Sequence, residues 1–131
     1  MTRFLALVLL LFAFSAGAAQ ARGDDHGGGS GDVRVAGSCG RGATSSLRLR
    51  SDDGRIEVRF RLEQRRGSGL WRITVVHEQR VAFRATKRTT RSDRSYELRR
   101  MVPDLSGSDT VAVHAWGPQG LGCRATATLP G

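Results

Sequence analysis

The two histidines of the expected folded domain, His77 and His114, are the first candidates for catalysis or metal binding. His77 lies beside Glu78 in a predicted hairpin turn, where a solvated polar side chain is expected. His114 alternates with Val113 and Ala115, so its side chain is predicted to point away from the face that they share. The spacing of the histidines matches neither the HxH nor the HExxH pattern of zinc sites. We therefore predict no metal ligands and no cofactor.

Other residues with catalytic potential also lack a matching context. The serines are numerous, but none occupies the Gly-x-Ser-x-Gly elbow that exposes a nucleophile. Asp52, Asp53, Asp104 and Asp109 lie in predicted turns, where aspartate is favoured because it hydrogen-bonds the backbone. The Gly-Arg-Gly sequence at residues 40–42 lacks the lysine and the strand-to-helix context of a phosphate-binding loop. The sequence therefore predicts a protein without catalytic residues.

Arginine dominates the charge of the chain, whose formal net charge is +9. Arg48, Arg50, Arg59 and Arg61 alternate with apolar residues, so they are predicted to share an outer face, which is a candidate contact surface for a polyanion. The alternatives are a face made soluble by charge and the arginine preference of a GC-rich genome. Nucleic acid is not the expected partner, because most aromatic residues occupy inward positions and leave Trp116 as the main exposed one.

The N-terminus has the three parts of an export signal. Arg3 provides a positive charge, Phe4–Phe14 form an apolar run, and Ala19–Ala21 fit the small-x-small pattern that precedes cleavage. The apolar run is shorter than the roughly 20 residues of a transmembrane helix. We therefore predict that residues 1–21 are a signal peptide, cleaved after Ala21.

Cleavage at this point predicts a mature chain of residues 22–131 with a net charge of +8, because only Arg3 is lost. This length suits one domain with one core. Residues 22–32 are rich in glycine and aspartate and are predicted to be a flexible leader. No second apolar span is present, so we expect a secreted protein, extracellular or periplasmic, without stable membrane insertion after signal removal.

Two cysteines remain in this mature chain, Cys39 and Cys123. In an oxidising compartment an even number of cysteines in a small chain indicates a disulfide, and here one pairing is available. Neither cysteine belongs to a CxxC motif, so the predicted role of the bridge is structural. Closing so long a loop stabilises the fold by about 4 kcal/mol in the chain-entropy description.

The elements that would position these residues are β-strands. Residues 47–50 and 55–63 alternate apolar and charged side chains, which is typical of strands with one buried face. Between them, Asp53-Gly54 predicts a type I′ hairpin turn. The turn places Leu49 opposite Val58 and Leu47 opposite Phe60. Both pairs lie on the same face of the hairpin.

On the outer face, the same register places Arg50 opposite Glu57 as an attractive pair. Further strands are predicted at Leu70–Val76, Val81–Ala85, Tyr96–Pro103, Thr110–Trp116 and Leu121–Leu129. No segment has helical periodicity over more than one turn. A strand and turn every 8 to 12 residues or so is the spacing of an antiparallel sandwich.

The pattern resembles immunoglobulin-like and fibronectin type III-like domains over residues 45–130. Trp71 stands early in the third strand, and residues 105–115 read Leu-x-Gly-x-Asp-x-Val-x-Val-x-Ala before a Gly-Pro-x-Gly turn. The resemblance implies an all-β fold for residues 33–131: an antiparallel immunoglobulin-like sandwich of about seven strands with one disulfide. It also implies that the segment carrying Cys39 runs parallel to the final strand, with residues 33–35 as an extra edge strand.

From these features we expect a secreted, non-catalytic domain that acts by surface contact with a protein, a glycan or an anionic envelope polymer. The alternatives are a small-molecule carrier and an enzyme inhibitor that presents a loop such as Gly117–Gly120. A cleft would favour the carrier, a protruding loop the inhibitor, and a flat basic face the binding module.

Overall fold

A computed structural model of the protein describes residues 31–131. The predicted signal peptide, the cleavage point and most of the predicted leader lie outside these residues. The described part contains one short 3₁₀ turn, Pro118–Gly120, and nine strands: β1 Asp32–Ala36, β2 Ser38–Cys39, β3 Ala43–Asp52, β4 Arg55–Gln64, β5 Gly69–His77, β6 Arg80–Thr89, β7 Ser95–Pro103, β8 Asp109–Trp116 and β9 Gly122–Leu129. Within residues 31–131, no helix has the length and apolar character needed to cross a membrane.

The strands form two antiparallel sheets. One sheet has four strands in the order β1-β3-β4-β7, and the other has five in the order β2-β9-β8-β5-β6. Their inward side chains form a common core. The prediction of an all-β, two-sheet fold with a disulfide is therefore confirmed. The seven longer strands match the predicted ones, β1 contains the extra edge strand predicted at residues 33–35, and β2 is added after it.

The predicted hairpin between β3 and β4 is present with the predicted register. Leu49 pairs with Val58, and Arg50 pairs with Glu57. Asp53 and Gly54 have φ values of 51° and 76°, so both central residues have the positive φ that a type I′ turn requires. The Asp53-Gly54 turn and the alternation of apolar and charged residues in β3 and β4 both specify this pairing. The pairing can therefore be predicted from the sequence.

The N-terminal segment crosses from one sheet to the other at Gly37. β1 pairs with β3 in the four-stranded sheet, whereas β2 pairs with β9 in the five-stranded sheet. A Cβ atom on Gly37 would lie 1.9 Å from Ser45 Oγ, so only glycine fits at this close approach. The chain therefore closes this side of the sandwich by belonging to both sheets.

The predicted disulfide joins Cys39 of β2 to Cys123 of β9. The two cysteines are directly opposite each other in an antiparallel pair. The parallel orientation that the immunoglobulin resemblance implied for this segment is therefore wrong. β2 follows β1 after the single residue Gly37, and its two residues pair with β9 in the antiparallel direction.

The centre of the core is the aromatic cluster of Trp71, Tyr96 and Phe60. The ring of Tyr96 lies 6.1 Å from that of Trp71 and 6.4 Å from that of Phe60. Gly117 packs against the indole so closely that a Cβ there would come within 2.5 Å of the ring. The Trp71 indole N–H donates to Gln64 Oε1 at 3.0 Å, which satisfies its one polar group.

The two tryptophans should therefore differ sharply in their contribution to stability. Trp71 is fully buried, whereas Trp116 is 53% exposed. Trp71→Ala should lower the free energy of unfolding by about 3 to 5 kcal/mol because it leaves a large cavity. Trp116→Ala should change it by about 0.5 kcal/mol or less. Denaturant melts of the two variants measure both values, and a larger loss for Trp116→Ala would contradict the assignment of the sheet faces.

Candidate polyanion-binding surfaces

Four arginines form a line across the outer face of the four-stranded sheet. Arg34, Arg48, Arg59 and Arg99 occupy consecutive positions of the same cross-strand row on β1, β3, β4 and β7. We call this line the arginine row. Side chains that face each other directly across antiparallel strands lie about 5 Å apart at Cβ, so four like charges in line need compensation.

Carboxylates within and beside the row supply that compensation. Arg48 makes a two-pronged contact with Asp32, with N···O distances of 2.9 Å and 2.6 Å. Glu57 accepts from Arg99 at 2.8 Å and lies 3.1 Å from an Arg59 nitrogen. These pairs neutralise much of the charge, so the four-stranded sheet presents a mixed surface with both signs.

The predicted polyanion contacts are thus divided between the row and its margins. Arg48 and Arg59 lie in the arginine row, while Arg50 and Arg61 lie in the rows on either side of it. Arg61 faces Glu97 of β7. A shallow depression of about 260 Å³ lies among Arg34, Arg48, Arg59 and Arg61. That these residues contact a polyanion stays a prediction.

Glu57 departs from its predicted exposed position, because its side chain is only 1% exposed. The alternating pattern assigned it to the solvated face as the partner of Arg50. Instead the long arginine side chains of β4 and β7 cover it. Burial by itself would raise the pKa of Glu57, but the hydrogen bond from Arg99 and the charges of Arg99 and Arg59 outweigh burial and hold the pKa below its usual value.

The five-stranded sheet has an outer face of a different kind, which the sequence reasoning did not single out. Arg72, Arg84, Arg88 and Arg124 project from its strands, as does the exposed Trp116. We call this surface the basic face. The sequence does contain a pattern that predicts this face. Arg72 and Arg84 alternate with inward apolar residues in the same way as the arginines of β3 and β4.

Acidic residues are almost absent from these five strands. The one carboxylate in their sequences belongs to Asp109, and it is buried. None of the ion pairs found within residues 31–131 involves an arginine of the basic face. The positive charge of this face is therefore uncompensated by the described part of the protein, unlike that of the arginine row.

Trp116 gives the basic face a flat apolar element. Its ring lies 5.7 Å from the His114 ring, with 48° between the planes. Trp116, Arg72 and Arg84 line a surface depression of about 450 Å³ together with Thr74. The arrangement offers cationic donors and a stacking surface side by side.

His77 is not a solvated turn residue, which corrects the sequence interpretation. It is the last residue of β5, is buried, and has its Nε2 2.7 Å from Asp109 Oδ1. Asp109 begins β8 rather than lying in a turn, and it also accepts the Leu105 N–H. Burial would raise the pKa of Asp109, but the His77 and Leu105 hydrogen bonds hold it below its usual value.

Glu78 brings a third potential metal ligand to this pair. The ligand atoms of His77, Glu78 and Asp109 all lie within 4.8 Å of one another. Each is already engaged, since Glu78 Oε1 accepts the Thr110 N–H and Asp109 accepts from His77. The cluster is therefore a hydrogen-bonded clasp between the β5–β6 turn and the start of β8.

Comparisons with other proteins do not assign the chain to a family. No family model, no curated protein and no solved structure matches it. The functional argument therefore depends on the surfaces themselves.

The buried Glu57 should make stability depend on acid pH. Because its pKa is lowered on folding, its stabilising contribution is present above the unfolded value of about 4.3 and is lost as the pH falls through the lower folded value. Glu57→Gln should cost about 1 to 3 kcal/mol at neutral pH, since Arg59 and Arg99 lose a charged acceptor.

Thermal melts between about pH 6 and pH 3 test this expectation. The melting temperature of Glu57→Gln should fall less steeply with acid than that of the wild type. Glu63→Gln is the matched control, because Glu63 lies on the same strand, is exposed and forms no ion pair among the described residues. Parallel curves for wild type and Glu57→Gln would contradict the assignment.

Proposed function

We propose that this protein is a secreted, non-catalytic module that binds an anionic glycan or envelope polymer through the basic face. The observation that carries the proposal is the pairing of four arginines with an exposed tryptophan on a face that lacks acidic side chains. Such a face attracts a polyanion over its whole width, and the attraction weakens as salt increases.

The charge balance favours the basic face over the arginine row as the principal contact. A polyanion that approached the row would meet Asp32, Glu57 and Glu97 and would compete with them for the same guanidinium groups. On the basic face the guanidinium groups are already available. A ligand that binds there displaces only water and counterions. No ion pair among residues 31–131 has to break first, as it would at the arginine row.

Trp116 favours a glycan over a nucleic acid. Proteins that hold single strands without sequence preference stack successive bases on several aromatic residues. The basic face has one exposed aromatic of this size, and Thr74 and Thr86 line the same depression. One stacking surface among hydroxyl and guanidinium donors suits a single sugar ring of an acidic polymer.

The immunoglobulin-like assignment and the export of the chain are part of the same proposal. The sheet order β9-β8-β5-β6, with a buried tryptophan on β5, supports an immunoglobulin-like arrangement of the five-stranded sheet. The disulfide supports an oxidising compartment.

Heparin retention in a salt gradient tests the binding proposal. The variant Arg72→Glu/Arg84→Glu should elute at clearly lower salt, with the slope of log affinity against log salt reduced by about one for each arginine. Arg50→Glu/Arg61→Glu makes the same change of charge on the other sheet and should have a smaller effect. Trp116→Ala should weaken binding without reducing this slope.

The pattern of losses decides between the surfaces. Equal losses in the two double variants would mean that net charge alone acts, and a larger loss for Arg50→Glu/Arg61→Glu would place the site on the four-stranded sheet. Either result would overturn the assignment to the basic face.

Export should produce a mature chain that begins at Arg22. Mass analysis of the protein recovered from culture fluid or periplasm should give residues 22–131 with Cys39 and Cys123 oxidised. Recovery of the intact chain from Met1, with two titratable thiols, would contradict both export and the oxidising compartment.

A further inference from the structure

The side of the sandwich opposite β1 and β2 is open. β6 is an edge strand of the five-stranded sheet, and β7 is an edge strand of the four-stranded sheet. The two edges face each other without pairing and leave a groove of about 720 Å³ between them. We call it the edge groove, and its main lining residues are Val81, Phe83, Arg100, Met101 and Leu105.

The edge groove concentrates exposed apolar surface. Five large hydrophobic residues are exposed within residues 31–131, and three of them line this groove: Val81 at 47%, Met101 at 39% and Leu105 at 47%. The other two, Leu70 and Trp116, lie on the outer face of the five-stranded sheet. Clustered exposed apolar side chains are characteristic of binding grooves, whereas single ones are ordinary.

Positive charge accompanies this apolar surface. The Arg100 guanidinium lies 5.4 Å from the centre of the Phe83 ring, and Arg80 also lines the groove. Neither arginine forms an ion pair with any described residue. Glu78 is the acidic residue that lines the groove, and its carboxylate accepts a hydrogen bond from the Thr110 N–H. A ligand that complements the groove therefore has one anionic group and one apolar part.

We propose that the edge groove binds a single-chain anionic amphiphile in solution, such as a medium-chain carboxylate. The acyl chain lies on Val81, Met101 and Leu105, and the carboxylate contacts Arg100. The groove has the size typical of small-molecule sites. An added protein strand is disfavoured, because arginines along both edges hinder sheet extension. This site is separate from the basic face and does not depend on the proposed polymer binding.

Isothermal titration with octanoate, decanoate, dodecanoate and uncharged decanol tests the proposal. Affinity should increase by about twofold or more for each added methylene, as expected for partial burial of the chain. Arg100→Gln should weaken decanoate binding about tenfold and decanol binding by less than about twofold, because only the carboxylate loses a charged donor. Val81→Ser/Leu105→Ser should weaken both ligands.

Two controls separate the groove from general effects. Arg91→Gln removes an exposed charge from the loop after β6, and Leu70→Ser removes an exposed apolar residue elsewhere, so both should bind decanoate as the wild type does. The proposal is overturned by affinity that does not depend on chain length, by equal losses of decanoate and decanol in Arg100→Gln, or by equal losses in the controls.

A bilayer is the other source of an anionic amphiphile. Cosedimentation with phosphatidylglycerol vesicles should be the same for wild type and Val81→Ser/Leu105→Ser, because the groove takes a dissolved single chain. Loss of cosedimentation in that variant, without decanoate binding by the wild type, would assign the groove to membrane contact and overturn the proposal.

Discussion

The hydrogen bond from the Trp71 indole to the Gln64 amide joins the two sheets inside the buried core. Trp71 belongs to the five-stranded sheet and Gln64 ends β4 of the four-stranded sheet. Gln64 Oε1 also accepts from Thr89 Oγ1 at 2.7 Å, and its Nε2 donates to Arg66 O at 2.7 Å. A buried amide with all these partners has one orientation. It therefore fixes the connection from β4 in one sheet to β5 in the other.

Because the buried side chains hold the two sheets together, the outer faces of the sheets are free to differ. The core uses the inward side chains of every long strand, so the outer side chains of the two sheets can differ in charge. One outer face carries interlocked pairs of both signs, such as Arg48 with Asp32. The other carries arginines without carboxylates. We attribute the uncompensated charge of the second face to the proposed ligand.

Local sequence patterns predicted the elements but not the long-range pairs. The β3–β4 hairpin was predictable because Asp53-Gly54 and the alternation around it act within a few residues. The burial of Glu57 and His77 was not, because it depends on Arg99 and Asp109, which lie 42 and 32 residues away. The edge groove was not predictable either, since its walls come from edge strands of different sheets, and strand order cannot be derived from alternation.

The turn between β5 and β6 connects the clasp with the edge groove. Glu78 and Gln79 have φ values of 49° and 64°, although neither is glycine. Each such residue costs about 1 to 2 kcal/mol in a left-handed conformation. The turn persists because Glu78 bonds Thr110 through both its backbone N–H and its carboxylate.

The His77–Asp109 pair holds the same end of the sandwich, and Asp109 in turn fixes the backbone of Leu105. His77, Glu78 and Leu105 all line the edge groove. Hydrogen bonds of these three residues therefore hold one end of the groove, and the bond between His77 and Asp109 is buried. A site held in this way loses less conformational freedom when a ligand binds, which favours the amphiphile that we propose.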